Sequence, residues 1–127
     1  MEESYIKLND LFVYKISLEL CDLGWKIYET LDWRDKKIMG DQFITAVDSN
    51  AANIAEGYGR YHYLDKIKFY YNARASLLET KHWIYLLYKR NKISQEKYDE
   101  FLYLANHVNF HLNKFIKSQY DSKYKKD

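Results

Sequence analysis

No proline occurs anywhere in the 127 residues, and glycine occurs only four times. A chain so poor in turn formers cannot supply the many tight turns of a β-sandwich or barrel, and nothing in it interrupts long helices. Apolar side chains make up 47% of the sequence and aromatic ones 18%, which excludes a disordered chain although 30% of the residues are charged. The single cysteine excludes a disulfide framework and a cysteine-based zinc site. No apolar run approaches the ~18 residues of a membrane span, and the start, Met1-Glu2-Glu3-Ser4, is unlike a signal peptide. The expectation is one mostly helical domain, cytoplasmic and without a membrane contact.

Apolar residues recur at helical spacing in four long segments. The first runs from about residue 9 to 31, with Asn9 or Asp10 as N-cap. It carries two seams. Val13, Ile16, Leu20, Leu23 and Ile27 form one, and Leu11, Tyr14, Leu18, Cys21, Trp25 and Tyr28 form the other. Offset by two residues, or about 200° around a helix, they face nearly opposite ways. One bundle core covers one stripe, so the second needs its own cover, expected here to be another subunit. Leu11, Tyr14, Leu18, Trp25 and Tyr28 are the candidate interface residues, although the pattern does not say which seam meets the neighbour.

The second segment, about 38 to 57, has Gly40, Ile44, Val47, Ala51 and Ile54 as its stripe, with Gly57 and Gly59 expected to end it in the left-handed conformation. The third, about 63 to 91, carries two adjacent columns, Tyr63/Tyr70/Leu77/Ile84 and Leu64/Tyr71/Leu78/Tyr85. Asn91 and Lys92 make a turn. Ser94 then caps a last helix through Tyr98, Phe101, Ala105, Val108, Leu112 and Phe115, ending near Gln119. Short links force neighbours antiparallel. The expected fold is all-α, an antiparallel up-down-up-down four-helix bundle over 10–119, with an N-terminal extension at 1–9 and a flexible lysine-rich tail at 120–127.

The net charge of +2 conceals two unlike halves. Residues 1–59 hold 6 Lys/Arg against 11 Asp/Glu, and residues 60–127 hold 14 against 7. The halves either attract one another within the fold or give the folded chain a basic face for a polyanion.

Catalytic patterns are thin. His107 and His111 stand at i, i+4, a spacing that can hold a metal from one helix face, but no carboxylate joins them in a known motif. Glu79 and His82 form a lone ExxH where a di-iron bundle needs two. Cys21 lies inside an apolar seam and reads as a small buried hydrophobe. Gly57-Tyr58-Gly59 follows a helix rather than a strand, so it is no dinucleotide loop. No enzyme activity, metal or cofactor is expected.

The most distinctive stretch is Ser49-Asn50-Ala51-Ala52-Asn53-Ile54-Ala55-Glu56-Gly57-Tyr58-Gly59-Arg60. It resembles the signature S-x-P-x-N-I-A-E-G-x-x-R of the four-helix-bundle family encoded in intervening sequences of bacterial 23S ribosomal RNA genes. Asp10-Leu11-x-Val13-Tyr14 and Ala73-Arg74-Ala75-Ser76-Leu77-x-Glu79 resemble two further family segments. The resemblance covers about residues 10–116. Ala51 departs from a usual proline, Ala75 from a glycine and Tyr14 from a frequent tryptophan. The resemblance implies a homopentameric ring without known catalysis. More distantly, it implies kinship with accessory subunits of reverse transcriptases in diversity-generating elements.

The signature residues Ser49, Asn53, Glu56, Gly57, Arg60, Arg74 and Glu79 read first as helix packing and a cap, and only second as a binding site. With the second and third segments folded about residue 61, Asp48 opposes Arg74 and Glu56 opposes Lys66. Arg74 shares its register with Ile67 and Tyr88, so a carboxylate is expected to hold it, Asp48 first and Glu79 or Glu56 next.

Two functions remain in view. One is a non-catalytic, homo-oligomeric protein associated with RNA or DNA, using Arg60, Lys66, Lys68, Lys89, Arg90 and Lys92 interleaved with tyrosines that can stack on bases. Its pI of about 8.5 is modest for such a binder, but a ring multiplies the charge. The other is a protein-interaction scaffold or accessory subunit serving a polymerase-type partner.

Overall fold

The computed structural model describes residues 6–125. Within them four long helices form an all-α up-down-up-down bundle: α1 (Phe12–Thr30), α2 (Asp41–Tyr58), α3 (Tyr63–Lys89) and α4 (Gln95–Lys125). α1 packs on α2 and α4, and α3 closes the ring against the same two helices. The first half of the chain therefore supplies one side of the bundle and the second half the other. An ion pair joins them at one end, from Lys92 in the turn between α3 and α4 to Asp35 at 3.3 Å.

The core follows the heptad seams. Val13, Ile16, Leu20 and Ile27 of α1 are buried with Phe43, Val47 and Ile54 of α2, Tyr70, Leu77 and Ile84 of α3, and Phe101, Ala105, Val108 and Leu112 of α4. Removing each large side chain from water stabilises the fold by about 1.5–3 kcal/mol. Among the described residues three polar ones are buried with them: Ser17, Asn50 and Thr80. Ser17 and Thr80 return their hydroxyls to the carbonyls of Val13 and Ser76 one turn back. Asn50 instead crosses to α3, where its Nδ2 donates to the Ala73 carbonyl at 3.0 Å.

Four helix ends differ from the sequence pattern. Neither Asn9 nor Asp10 caps α1; Leu8–Asp10 forms a 3-10 turn, and Leu11, extended and buried, precedes the helix without a side-chain cap. Anchoring Leu11 in the core takes precedence over capping. The second helix starts earlier than residue 38. A single α-turn at Trp33–Asp35, capped by Asp32 accepting from the Asp35 N–H at 2.8 Å, runs through a π-helical stretch at Lys36–Gly40 into α2. Gly57 and Gly59 make no left-handed stop, since no described glycine has a positive φ. Asn91 does, at φ 61°, where the expected turn between α3 and α4 falls. Ser94 caps α4 as expected, accepting from the Lys97 N–H at 3.1 Å.

The last helix does not end near Gln119. It continues to Lys125 with Lys117 paired to Asp121 at 3.0 Å one turn on, so the expected flexible tail from residue 120 is helical as far as it is described. Residues 1–5 of the expected extension and 126–127 of the tail lie outside the described residues.

Candidate nucleic-acid interface

The signature stretch builds the joint between α2 and α3. Asn53 Nδ2 donates to the Ser49 carbonyl at 2.9 Å and to its Oγ at 3.1 Å, and the Ser76 hydroxyl donates to the same Oγ at 3.0 Å. Gly57 is buried flat against Tyr70 and Phe69. Glu56 pairs with Arg60 along the outside of α2, and the Arg60 guanidinium lies over the Phe69 ring at 4.7 Å. Glu79 accepts from Trp83 Nε1 at 3.4 Å.

Two expected pairings do not form. Lys66 does not meet Glu56; its ammonium donates to the carbonyls of Tyr58 (3.0 Å) and Gly57 (3.4 Å), where the open end of α2 attracts a cation. Burial pulls its pKa down. Arg74 meets none of Asp48, Glu79 or Glu56. It is exposed on the α4 side of α3, keeps its water, and so needs no counter-charge. Its guanidinium lies 4.9 Å from the Tyr71 ring centre, and Nη1 donates to Asn113 Oδ1 at 2.9 Å.

The six basic candidates do not make one stripe. Arg60, Lys66 and Lys68 gather at one end of α3. Lys89, Arg90 and Lys92 gather at the other, roughly 30 Å away at 1.5 Å per residue. Three of them are engaged within the fold: Arg60 by Glu56, Lys66 by carbonyls and Lys92 by Asp35. Lys68, Lys89 and Arg90 are exposed.

A cationic trough lies elsewhere. Tyr71, Arg74, Ala75, Leu78 and Lys81 of α3 face Asn109 and Asn113 of α4 across a groove of about 450 Å³. An adjoining depression of about 470 Å³ extends over Asn106, Phe110, Lys114 and Lys117. No carboxylate lines either one. Lys117 is held by Asp121, while Lys114 lies over the Phe110 ring at 5.5 Å. The sequence carries an uncharged signal for this trough. Asn106, Asn109 and Asn113 repeat at i, i+3 and i+7, three weak helix formers on one helix face beside Lys114 and Lys117.

The second column of α3 is an exposed apolar stripe. Leu64 is 74% and Leu78 71% exposed, with Tyr71 and Tyr85 also on the surface. The second seam of α1 is only partly open. Leu11 is buried in the chain's own core, which removes it from the candidate interface. Tyr14 and Tyr28 are half-buried, and the Tyr28 hydroxyl donates to Asp41 at 2.6 Å. Leu18 and Trp25 remain exposed, the latter stacked on Tyr28 at 5.3 Å.

His107 and His111 make an aromatic cluster. Their rings are 4.6 Å apart, and the Phe12 ring of α1 meets His111 in a T-shaped contact at 4.8 Å. Desolvation, then the charges of His107 and Lys114, lowers the pKa of His111. Among the described residues no group of three or more His, Cys, Asp or Glu could hold a metal ion. Burial, then the Asp48 carboxylate, pushes the Cys21 thiol up to about 12, so at neutral pH it is a protonated thiol. Among the described residues no helix is long and apolar enough to cross a membrane.

The model of one protein family, described as 23S rRNA-intervening sequence protein, matches residues 9–114. The chain belongs to that family. Residues 49–60, which build the α2–α3 joint described above, lie within that match. The family's fold is also seen in a crystal structure of a protein of unknown function from the S23 ribosomal protein family of Bacteroides thetaiotaomicron. That protein is 26% identical over 83% of this chain and 98% of its own, with a TM-score of 0.78. No curated protein matches this chain.

Proposed function

We propose that this 23S rRNA-intervening sequence family protein is a non-catalytic, homo-oligomeric bundle that associates with RNA. The observation that carries the reading is the trough between α3 and α4, where cations, amides and aromatic rings meet without a carboxylate. Folding lays the acidic half of the sequence on one side and the basic half on the other, so the modest overall charge does not describe the face a polyanion would meet. The family's kinship with ribosomal RNA genes supports RNA over other polyanions. Assembly, expected to be a pentameric ring, would multiply that face, and Leu18 and Trp25 are apolar groups an assembly could cover.

Binding of labelled single-stranded RNA across a salt series tests the association, and mass photometry tests the assembly. Affinity that does not fall with salt, or a monomer at micromolar concentration, removes the corresponding part of the reading. The exposed column of Leu64, Tyr71, Leu78 and Tyr85 favours a second reading, a scaffold for a polymerase-type protein. Copurification of one defined protein without nucleic acid would select it.

A further inference from the structure

The trough between α3 and α4 has a centre. Arg74 lies over the Tyr71 ring at 4.9 Å and is tied by Nη1 to Asn113, so one exposed side chain bridges the two helices. A guanidinium held by a ring and an amide loses little further freedom when it takes a phosphate or stacks on a base. Lys81 and Lys114 add two more cations beside it. Asn106 and Asn109 each bring a donor and an acceptor in one amide, the combination that matches a base edge. Phe110 offers a second ring, 59% exposed.

We propose that this trough is a binding site for single-stranded RNA, with Arg74 as its central contact. The inference rests on the RNA-associated reading and gives it an address. Shape selects the single strand. Two helices lying side by side present a concave floor, which cannot enter the groove of a duplex as a projecting helix does. A splayed strand can lie along the floor, its phosphates against Arg74, Lys81 and Lys114 and its bases on the rings and amides. From Asn106 to Lys117 the floor runs about 17 Å along α4.

The test is fluorescence anisotropy on the full chain with a short, unstructured pyrimidine RNA, repeated over a salt series and against a duplex of the same sequence. Three free cations predict a slope of log affinity on log salt of about −2, less steep by about 0.7 in Arg74→Ala. Tyr71→Ala is expected to weaken binding about tenfold. Arg74→Lys should keep the salt slope yet lose affinity, a split that a merely structural role would not produce. Circular dichroism and mass photometry of each variant check that folding and assembly are intact, and Lys37→Ala, exposed in the π-helical stretch before α2, serves as the control outside the trough.

RNA binding that the trough variants leave unchanged overturns the site but not the RNA association. Duplex bound as tightly as single strand also overturns the site. Disassembly of the Tyr71 or Arg74 variants would show that a second copy covers the trough, and would overturn it too. Absence of any RNA binding by the unaltered chain removes the association itself.

Discussion

A methyl group on Gly57 would lie 2.7 Å from Cε1 of Tyr70 and 3.0 Å from Cβ of Phe69. Tyr70 is fully buried, so its ring cannot swing aside into water. Within an exposed helix, glycine to alanine stabilises by about 0.5–1 kcal/mol; here the sign reverses. Gly57→Ala is expected to cost about 1–3 kcal/mol, read as a lower urea midpoint at unchanged slope. A stabilised variant would mean that α2 and α3 are not in this contact.

The Tyr70 hydroxyl is buried without a hydrogen-bond partner among the described residues, and burial followed by Tyr58 raises its pKa well above the ordinary value. Tyr70→Phe removes the orphaned group and keeps the ring. Stability near neutral pH is expected to be unchanged or to rise by about 0.5–1 kcal/mol.

Alkali should expose the same group. Tyr70 and Cys21 both have folded pKa values above their ordinary 10.0 and 9.0, so the folded state holds their protons longer. Their contribution is complete below those ordinary values and is lost as pH rises toward about 12 for Cys21. The urea midpoint is expected to fall above about pH 9, and less steeply in Tyr70→Phe. In the native state at mild alkaline pH, Cys21 should resist thiol reagents that label the unfolded chain at once.

His111 shows the opposite sign at acid pH. Its folded pKa lies below the usual 6.5, so its stabilising share is present above that value and lost as pH falls through the folded one. An NMR titration should place its midpoint below that of an unstructured histidine. Phe12→Ala, by returning water to the ring, should move the midpoint back up.

Assembly is tested at the edge of α1. Trp25→Glu and Leu18→Glu place charge on side chains already half in solvent, so the 15.5 kDa chain should keep its helical content while the proposed oligomer dissociates. If the oligomer persists, its contact runs elsewhere, and Leu64→Glu and Leu78→Glu are the next variants to weigh by mass photometry.

Heptad spacing makes the fold legible because each helix buries a stripe that antiparallel neighbours share. Val13, Leu20, Leu77 and Val108 announce their burial by position alone. The ends were less legible. Leu11 forgoes a cap to reach the core, and the π-helical stretch at Lys36–Gly40 carries no proline or glycine pair to mark its start. The candidate site was the least legible part. A run of lysine and arginine shows only within one chain segment, whereas the trough is composed across two helices 25 to 46 residues apart in sequence, and its asparagines carry no charge. Arg74 was misplaced for a related reason: the hairpin register of α2 and α3 held to within a few residues, but the side of α3 on which Arg74 lies faces α4 instead.

In an antiparallel bundle the four helix dipoles oppose one another in pairs, so little polarity is left along the axis. The sequence halves lie side by side, and polarity survives across the waist. Such a molecule turns in the field of a polyanion, or of another copy of itself, before any surfaces touch. Ionic strength should thus slow its encounters as well as weaken its complexes, and at physiological salt the orienting torque reaches out only about 8 Å.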